Sequence, residues 1–226
     1  MLLLVTDTSG KQGSVALARA ADGGQLQIID IAPLAGGTFS AQLVPQIAAL
    51  LLKRGFTKND ISGFVVVSGP GSFTGLRVGL AAVKALAEIL QKPIAAVSLL
   101  EVVAVGADIP GRVLAALDAG RGGVFTAEYE IVDSNARLLR EQLMTREELR
   151  IAARASAVVT PDAAVAAIVR DFGGSAFELE SVDAEMIAHL GLKKLRAGET
   201  VGPEQLEANY LRPSDAELFT KPASGS

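Results

Sequence analysis

The chain has 226 residues, half of them hydrophobic and a fifth charged, which excludes a disordered chain and leaves room for one sizeable core or two small ones. It has no cysteine, and so no disulfide framework, no zinc cluster and no thiol nucleophile. A net charge of −4, no tryptophan and two tyrosines predict neither the basic face nor the stacking platform of a nucleic-acid binder.

Residues 1–7 carry no basic stretch and reach Asp7 before an apolar signal segment could form, so they are expected as a first strand. No apolar run approaches membrane-spanning length. Leu2 to Asp7, Gly13 to Ala18 and Leu26 to Ile31 predict three strands, parted by turns at Ser9-Gly10 and Asp22-Gly23-Gly24. A helix is expected over residues 40–53. It carries Leu43, Ile47 and Leu50 on one line and Val44, Ala48, Leu51 and Leu52 on an adjoining one, broader than a single sheet-facing stripe. Two readings stand for it: a deep-core helix, or a helix sharing its apolar lines between its own sheet and another protein.

Val65-Val66-Val67 is a β-branched run of the kind buried on both faces of a sheet, ended by Gly69-Pro70-Gly71. Ser72 and Thr74 are good N-cap residues for the helix expected over residues 74–91. Its strongly polar residues, Arg77, Lys84, Glu88 and Gln91, share one narrow stripe, and apolar and small residues fill the rest, which predicts burial on a second side. Backbone N–H groups at a glycine-rich helix start hold anions. Here the spacing fits neither the lysine-ended phosphate loop nor the dinucleotide pattern, and Pro70 removes a donor, so a tight turn capping a helix is the plainer reading. A short strand at Ile94 to Val97 and a helix over residues 98–105 follow.

Beyond the turn at Asp108-Ile109-Pro110-Gly111, strands are expected at residues 113–118, 123–132, 137–143 and 157–159. Helices are expected from Thr145, over residues 162–170, and over residues 183–197, the last ending at Gly198. The only histidine, His189, lies in that last helix and reads as an ordinary helix residue. The polar tail over residues 220–226 is expected to be disordered.

The opening order of three strands, helix, strand, helix and strand is half of an actin-like, sugar-kinase-like (ASKHA) fold. It predicts an α/β protein with an N-terminal lobe over residues 1–105 and a C-terminal lobe over 106–219, each a mixed sheet with flanking helices. In such folds the turn after the first strand bears an Asp that helps hold phosphates. Asp7, Thr8 and Ser9 stand there, and with Gly69, Gly71 and Asp118 they are the weak candidates for a nucleotide site; otherwise no cofactor, metal or catalytic residue is expected.

The string Gly-Pro-Gly-Ser-Phe-Thr-Gly-Leu-Arg-Val-Gly over residues 69–79 is more specific than its parts and resembles the TsaB (YeaZ) family. So do Asp7-Thr8-Ser9 with residues 13–17, and Asn209-Tyr210-Leu211-Arg212-Pro213 near the end. The resemblance implies a cytoplasmic, catalytically inactive subunit of the complex that forms N6-threonylcarbamoyladenosine at position 37 of tRNA. Such a subunit pairs with the catalytic TsaD, supports recruitment of TsaE and reaches tRNA only through the complex; for the chain alone the sequence leaves monomer and homodimer both open. Departures are Phe39, where the family has a histidine, and Gly120, Gly123 and Phe125, where it has Arg, Glu and Tyr. The expected partner surface is Leu43, Ile47, Leu50, Leu51, Gly75, Arg77, Val78, Gly79 and Ala82. The competing reading is a small-molecule kinase or nucleotide hydrolase using Asp7 and Asp118; a metallopeptidase is a third, and it lacks a histidine pair for its metal.

Overall fold

Strands β1 (Leu2–Asp7), β2 (Gln12–Ala20) and β3 (Leu26–Ala35) form an antiparallel meander, and β4 (Gly63–Gly69) and β5 (Ile94–Ser98) extend it in parallel from β1. The sheet order is β3-β2-β1-β4-β5. This computed structural model describes residues 1–21 and 25–212. The expected turn at Asp22-Gly23-Gly24, the end of the C-terminal block from Pro213 onward and the polar tail lie outside the described residues.

Both faces of this sheet are apolar, as the Val65 to Val67 run predicts. Leu2, Leu4, Val15, Leu17, Phe64 and Val66 point to one face, where α1 (Phe39–Lys53) and α2 (Phe73–Leu90) cover them. Leu3, Val5, Ala16, Val65, Val67 and Val97 point to the other, where α6 (Ala184–Ala197) lies. Alternation at period two sends neighbouring residues to opposite helical layers. Asp30 of β3 ties down the end of α1: it accepts from Arg54 at 2.7 Å and pairs with Lys53 at 2.8 Å. Those two cations, Arg54 first, hold its carboxyl down at about 2.

The second half repeats the plan. Strands β6 (Gly111–Gly120), β7 (Gly123–Val132) and β8 (Asn135–Thr145) form the meander, α4 (Arg146–Ala152) follows, and β9 (Ala157–Thr160), α5 (Ala163–Asp171) and β10 (Ala176–Glu178) complete it. The sheet order β10-β9-β6-β7-β8 mirrors the first, with β9 parallel to β6 and β10 parallel to β9. β10 and a 3-10 turn at Lys58–Asp60 escape sequence reading because each is only three residues long.

The last helix of each half leaves its own lobe. α3 (Leu99–Gly106) buries Val102 against the first sheet and Leu100, Val103 and Ala104 against the second. α6 crosses back to the first sheet, where Gly191 lets it lie directly on Val65. The expected division at residue 105 therefore differs from the packing: residues 184–197 join the first lobe because their stripe of Ala184, Ile187, Ala188, Leu190 and Leu192 fills the face that α1 and α2 leave open.

One expectation for α1 is corrected. Leu43, Ile47, Leu50 and Leu51 are all buried in this chain's own core, so they cannot form a docking surface. α2 buries one stripe, Gly75, Leu76, Gly79, Leu80, Val83 and Ala87, against its own lobe, and this chain leaves its opposite side exposed. The outer surface of the layer is instead made by Val44, Ala48 and Leu52 of α1 with Ala81, Ala85 and Ile89 of α2, of which Val44, Leu52 and Ile89 are 56%, 81% and 68% exposed.

Candidate functional site: a basic cleft between the lobes

A cleft of about 1100 Å3 opens between the lobes. Its walls are the turn after β1 (Ser9, Gly10, Lys11), the start of α1, the Gly71 to Val78 stretch, the end of β6 with the turn after it (Asp118 to Arg121) and the segment Asn209 to Arg212.

The turn after β1 is welded to the start of α2. The Thr8 hydroxyl donates to the Gly75 carbonyl at 2.7 Å, and the Ser72 N–H donates to the Ser9 carbonyl at 2.7 Å. A Cβ at Gly71 would strike the Ser9 carbonyl, one at Gly75 the Thr8 carbonyl, and one at Gly79 the Thr8 hydroxyl. The glycines expected to admit a partner helix thus serve an internal approach. They also weaken the phosphate-cradle reading, since the Ser72 N–H is used by Ser9 and the Gly75 N–H donates to Ser72 Oγ at 3.2 Å.

Asp7 accepts from the Ser9 N–H at 2.9 Å and from its hydroxyl at 2.6 Å, and it does not line the cleft. Burial pushes its carboxyl above the usual range, outweighing the two Ser9 bonds that favour the carboxylate. With the folded pKa above that of the unfolded chain, folding favours the protonated form. That stabilising share is present below the ordinary carboxylate range and is lost as pH rises through the folded pKa. Asp7→Asn, which keeps an acceptor for Ser9 without the charge, is therefore expected to melt higher than the parent at neutral pH, with the gap closing towards pH of about 3. A lower melting point for Asp7→Asn at neutral pH would show that the carboxylate is the form the fold needs.

Of the other expected candidates, Ser9, Gly71 and Asp118 line the cleft; Thr8 and Gly69 do not. Asp118 is exposed, donates its N–H to Asp162 Oδ2 at 2.7 Å and accepts from the Gly120 N–H at 3.2 Å. Gly69, at φ +135°, gives way to Asn209, whose N–H donates to the Ser68 carbonyl at 2.7 Å. Phe39 is buried at the first position of α1, its ring against Gly13 and Gly75, and lines the cleft floor. His189 is exposed on α6, 3.9 Å from Glu185. Among the described residues no three of His, Cys, Asp and Glu stand together as a metal-binding group.

Sequence reasoning missed the segment 206–212 as a strap across both lobes. Leu206 is buried in the first core, Asn209 Nδ2 donates to Glu141 of β8 at 2.7 Å, and Arg212 donates to the Gly120 carbonyl at 3.0 Å. Tyr210 stacks on Phe73 at 4.8 Å between centroids, and its hydroxyl accepts from Arg77 Nε at 3.1 Å. The Arg77 guanidinium lies 3.7 Å above the Phe73 ring. A Cβ at Gly123 would crowd the Arg212 guanidinium, and Gly120, at φ +68°, offers its carbonyl to it, so the backbone supplies that contact where the family's side chains are missing. The clue in the sequence was Tyr210-Leu211-Arg212, apolar and basic residues in a stretch with no strand or helix to join.

Two lobes of the same strand order, each a mixed sheet with helices and facing each other across this cleft, define an actin-like α/β protein. The family model for TsaD, tRNA N6-adenosine threonylcarbamoyltransferase, matches residues 33–163, more than half of the chain, and the chain belongs to this family, in its TsaB (YeaZ) group. It is 33% identical over 153 residues to the tRNA threonylcarbamoyladenosine biosynthesis protein TsaB of Bacillus subtilis, covering 67% of this chain and 63% of that protein. To TsaB of Escherichia coli it is 35% identical over 133 residues, 58% of this chain and 55% of that one. The matches thus span little more than half the length of these relatives. YeaZ from Pseudomonas aeruginosa superposes with a TM-score of 0.71 at 26% identity, covering 93% of this chain and 99% of that structure.

Proposed function

We propose that this chain is a non-catalytic, cytoplasmic subunit of the assembly that forms N6-threonylcarbamoyladenosine at position 37 of tRNA, and that it acts by docking on and activating a TsaD-type catalytic subunit. TsaE-type ATPase recruitment and a homodimer in the partner's absence belong to the same reading. The observation that carries it is the outer face of α1 and α2, where Val44, Leu52 and Ile89 stand exposed among exposed alanines. Apolar residues at helical spacing on two adjacent helices make a surface into which a partner's helices pack ridge into groove. The residue inventory supports the inactive role: Phe39 occupies the family's histidine position and His189 lies away from the cleft. The kinase reading loses support because Asp7 is held by Ser9 outside the cleft lining. Among the described residues no helix is long and apolar enough to cross a membrane.

The test is reconstitution with a TsaD-type subunit. Size-exclusion chromatography should give a stable complex, and tRNA modification should need both chains. Transfer activity by this chain alone, or full activity of the partner without it, would overturn the proposal.

A further inference from the structure

Although the whole chain is acidic, the cleft is not. Among the described residues, Lys11, Arg77, Arg121 and Arg212 line it with one acid, Asp118. Lys11, Arg77 and Arg121 are exposed, Lys11 and Arg121 in the turns on opposite sides of the opening. Beside them stands the stack of Phe73, Arg77 and Tyr210, with Tyr210 41% exposed. Aromatic and guanidinium planes next to clustered cations are the combination with which proteins hold unpaired nucleotides, base on the ring and phosphate on the cation. Composition concealed it, because one of only two tyrosines and four of 21 Lys and Arg residues are gathered at one opening.

We propose that the mouth of this cleft binds unpaired RNA directly, one base stacking on the Phe73, Arg77 and Tyr210 group while neighbouring phosphates are held by Lys11, Arg121 and Arg212. The proposal rests on the function given above for the choice of RNA, and it replaces the expectation that tRNA is reached only through the complex. A free nucleotide is the poorer fit. An enclosed triphosphate wants a cradle of backbone N–H groups, and those of Ser72 and Gly75 are already bonded inside the protein. Phosphates spread along a strand suit cations spread around an opening.

The test is fluorescence anisotropy of a labelled anticodon stem-loop RNA titrated with the full chain alone, which needs no partner and so fails separately from the docking proposal. Three phosphate contacts predict a slope of log K against log salt of about −2, at roughly −0.7 per single-strand phosphate. Lys11→Gln should flatten it by about 0.7. Tyr210→Ala should weaken binding roughly tenfold or more. A blunt duplex of the same stem, with no unpaired base, should bind more weakly than the stem-loop. Thermal melts check that each variant stays folded; Lys11, in an exposed turn, keeps the salt test independent of the strap that holds Tyr210. No binding of the stem-loop at low salt, binding unchanged in both folded variants, or tight ATP binding that excludes the RNA would each overturn the proposal, the last in favour of a free nucleotide.

Discussion

Leu43→Glu is expected to unfold the protein, while Val44→Glu, one residue along the same helix, leaves it folded but unable to join its partner. Leu43 is 1% exposed and packs among Leu2, Leu4 and Phe64. A carboxylate there has no cation to meet and must be desolvated or protonated, at a cost of several kcal/mol by analogy with unpaired buried charges. Set against a total stability of about 5–15 kcal/mol for a typical domain, that removes most of the margin. Ile47→Glu, Leu50→Glu and Leu51→Glu belong with Leu43→Glu, since all three side chains are buried.

Val44 faces the other way, 56% exposed, in line with Ala48 and the still more exposed Leu52. Val44→Glu and Leu52→Glu should therefore change stability by no more than about 0.5 kcal/mol, the usual range for surface positions. If the partner buries about 800 Å2 of this face, a charge near its centre should cost at least about 2 kcal/mol of binding. Circular dichroism sorts the variants into unfolded and folded, and size-exclusion chromatography with the TsaD-type subunit reads association in the folded ones. Val44→Glu and Leu52→Glu proteins that still form the complex and still support modification would place the docking surface elsewhere.

The two lines of α1 show where sequence reading stops. Periodicity groups Leu43, Ile47 and Leu50, and separately Val44, Ala48, Leu51 and Leu52, but both lines are apolar, so nothing in the pattern says which one the sheet takes. Leu51 falls between them and goes to the core. The strands were legible because the Val65 to Val67 run and the Leu2 to Val5 run need apolar cover on both faces. What could not be read was which helices supply it: α6 comes from the far end of the chain, and no local signal couples Gly191 to Val65. The site follows the same division. Ser9 and Gly71 lie in turns, and Asp118 beside one, that glycines announce, whereas Lys11, Arg121, Phe73 and Tyr210 become a group only when two lobes and the strap close around one opening.

Gly75→Ala is expected to destabilise the protein by roughly 2–4 kcal/mol although it places the best helix former at a helix position. Alone, the change from glycine should help α2 by about 1 kcal/mol. The new Cβ, however, lands on the Thr8 carbonyl, a backbone atom that no rotamer change can move. To relieve the overlap the start of α2 must lift from the turn after β1, which breaks the bond from Thr8 Oγ1 to the Gly75 carbonyl and that from the Ser72 N–H to the Ser9 carbonyl. Each buried group left without a partner costs about 1–3 kcal/mol, more than the helix gains. Gly79→Ala meets Thr8 differently, through its hydroxyl oxygen. Thr8→Ala should therefore remove the clash of Gly79→Ala, whereas for Gly75→Ala it removes only the share due to the Thr8 hydroxyl bond and leaves the clash with the Thr8 carbonyl. Gly106→Ala is the control, since its Cβ meets most closely the flexible Met186 Cε and then Leu179 side-chain atoms, so its effect should stay small. Urea unfolding of the single and double variants measures all of these on one scale. Additive behaviour of Thr8→Ala with Gly79→Ala, or a Gly75→Ala protein as stable as its parent, would mean that α2 stands further from the turn than the geometry places it.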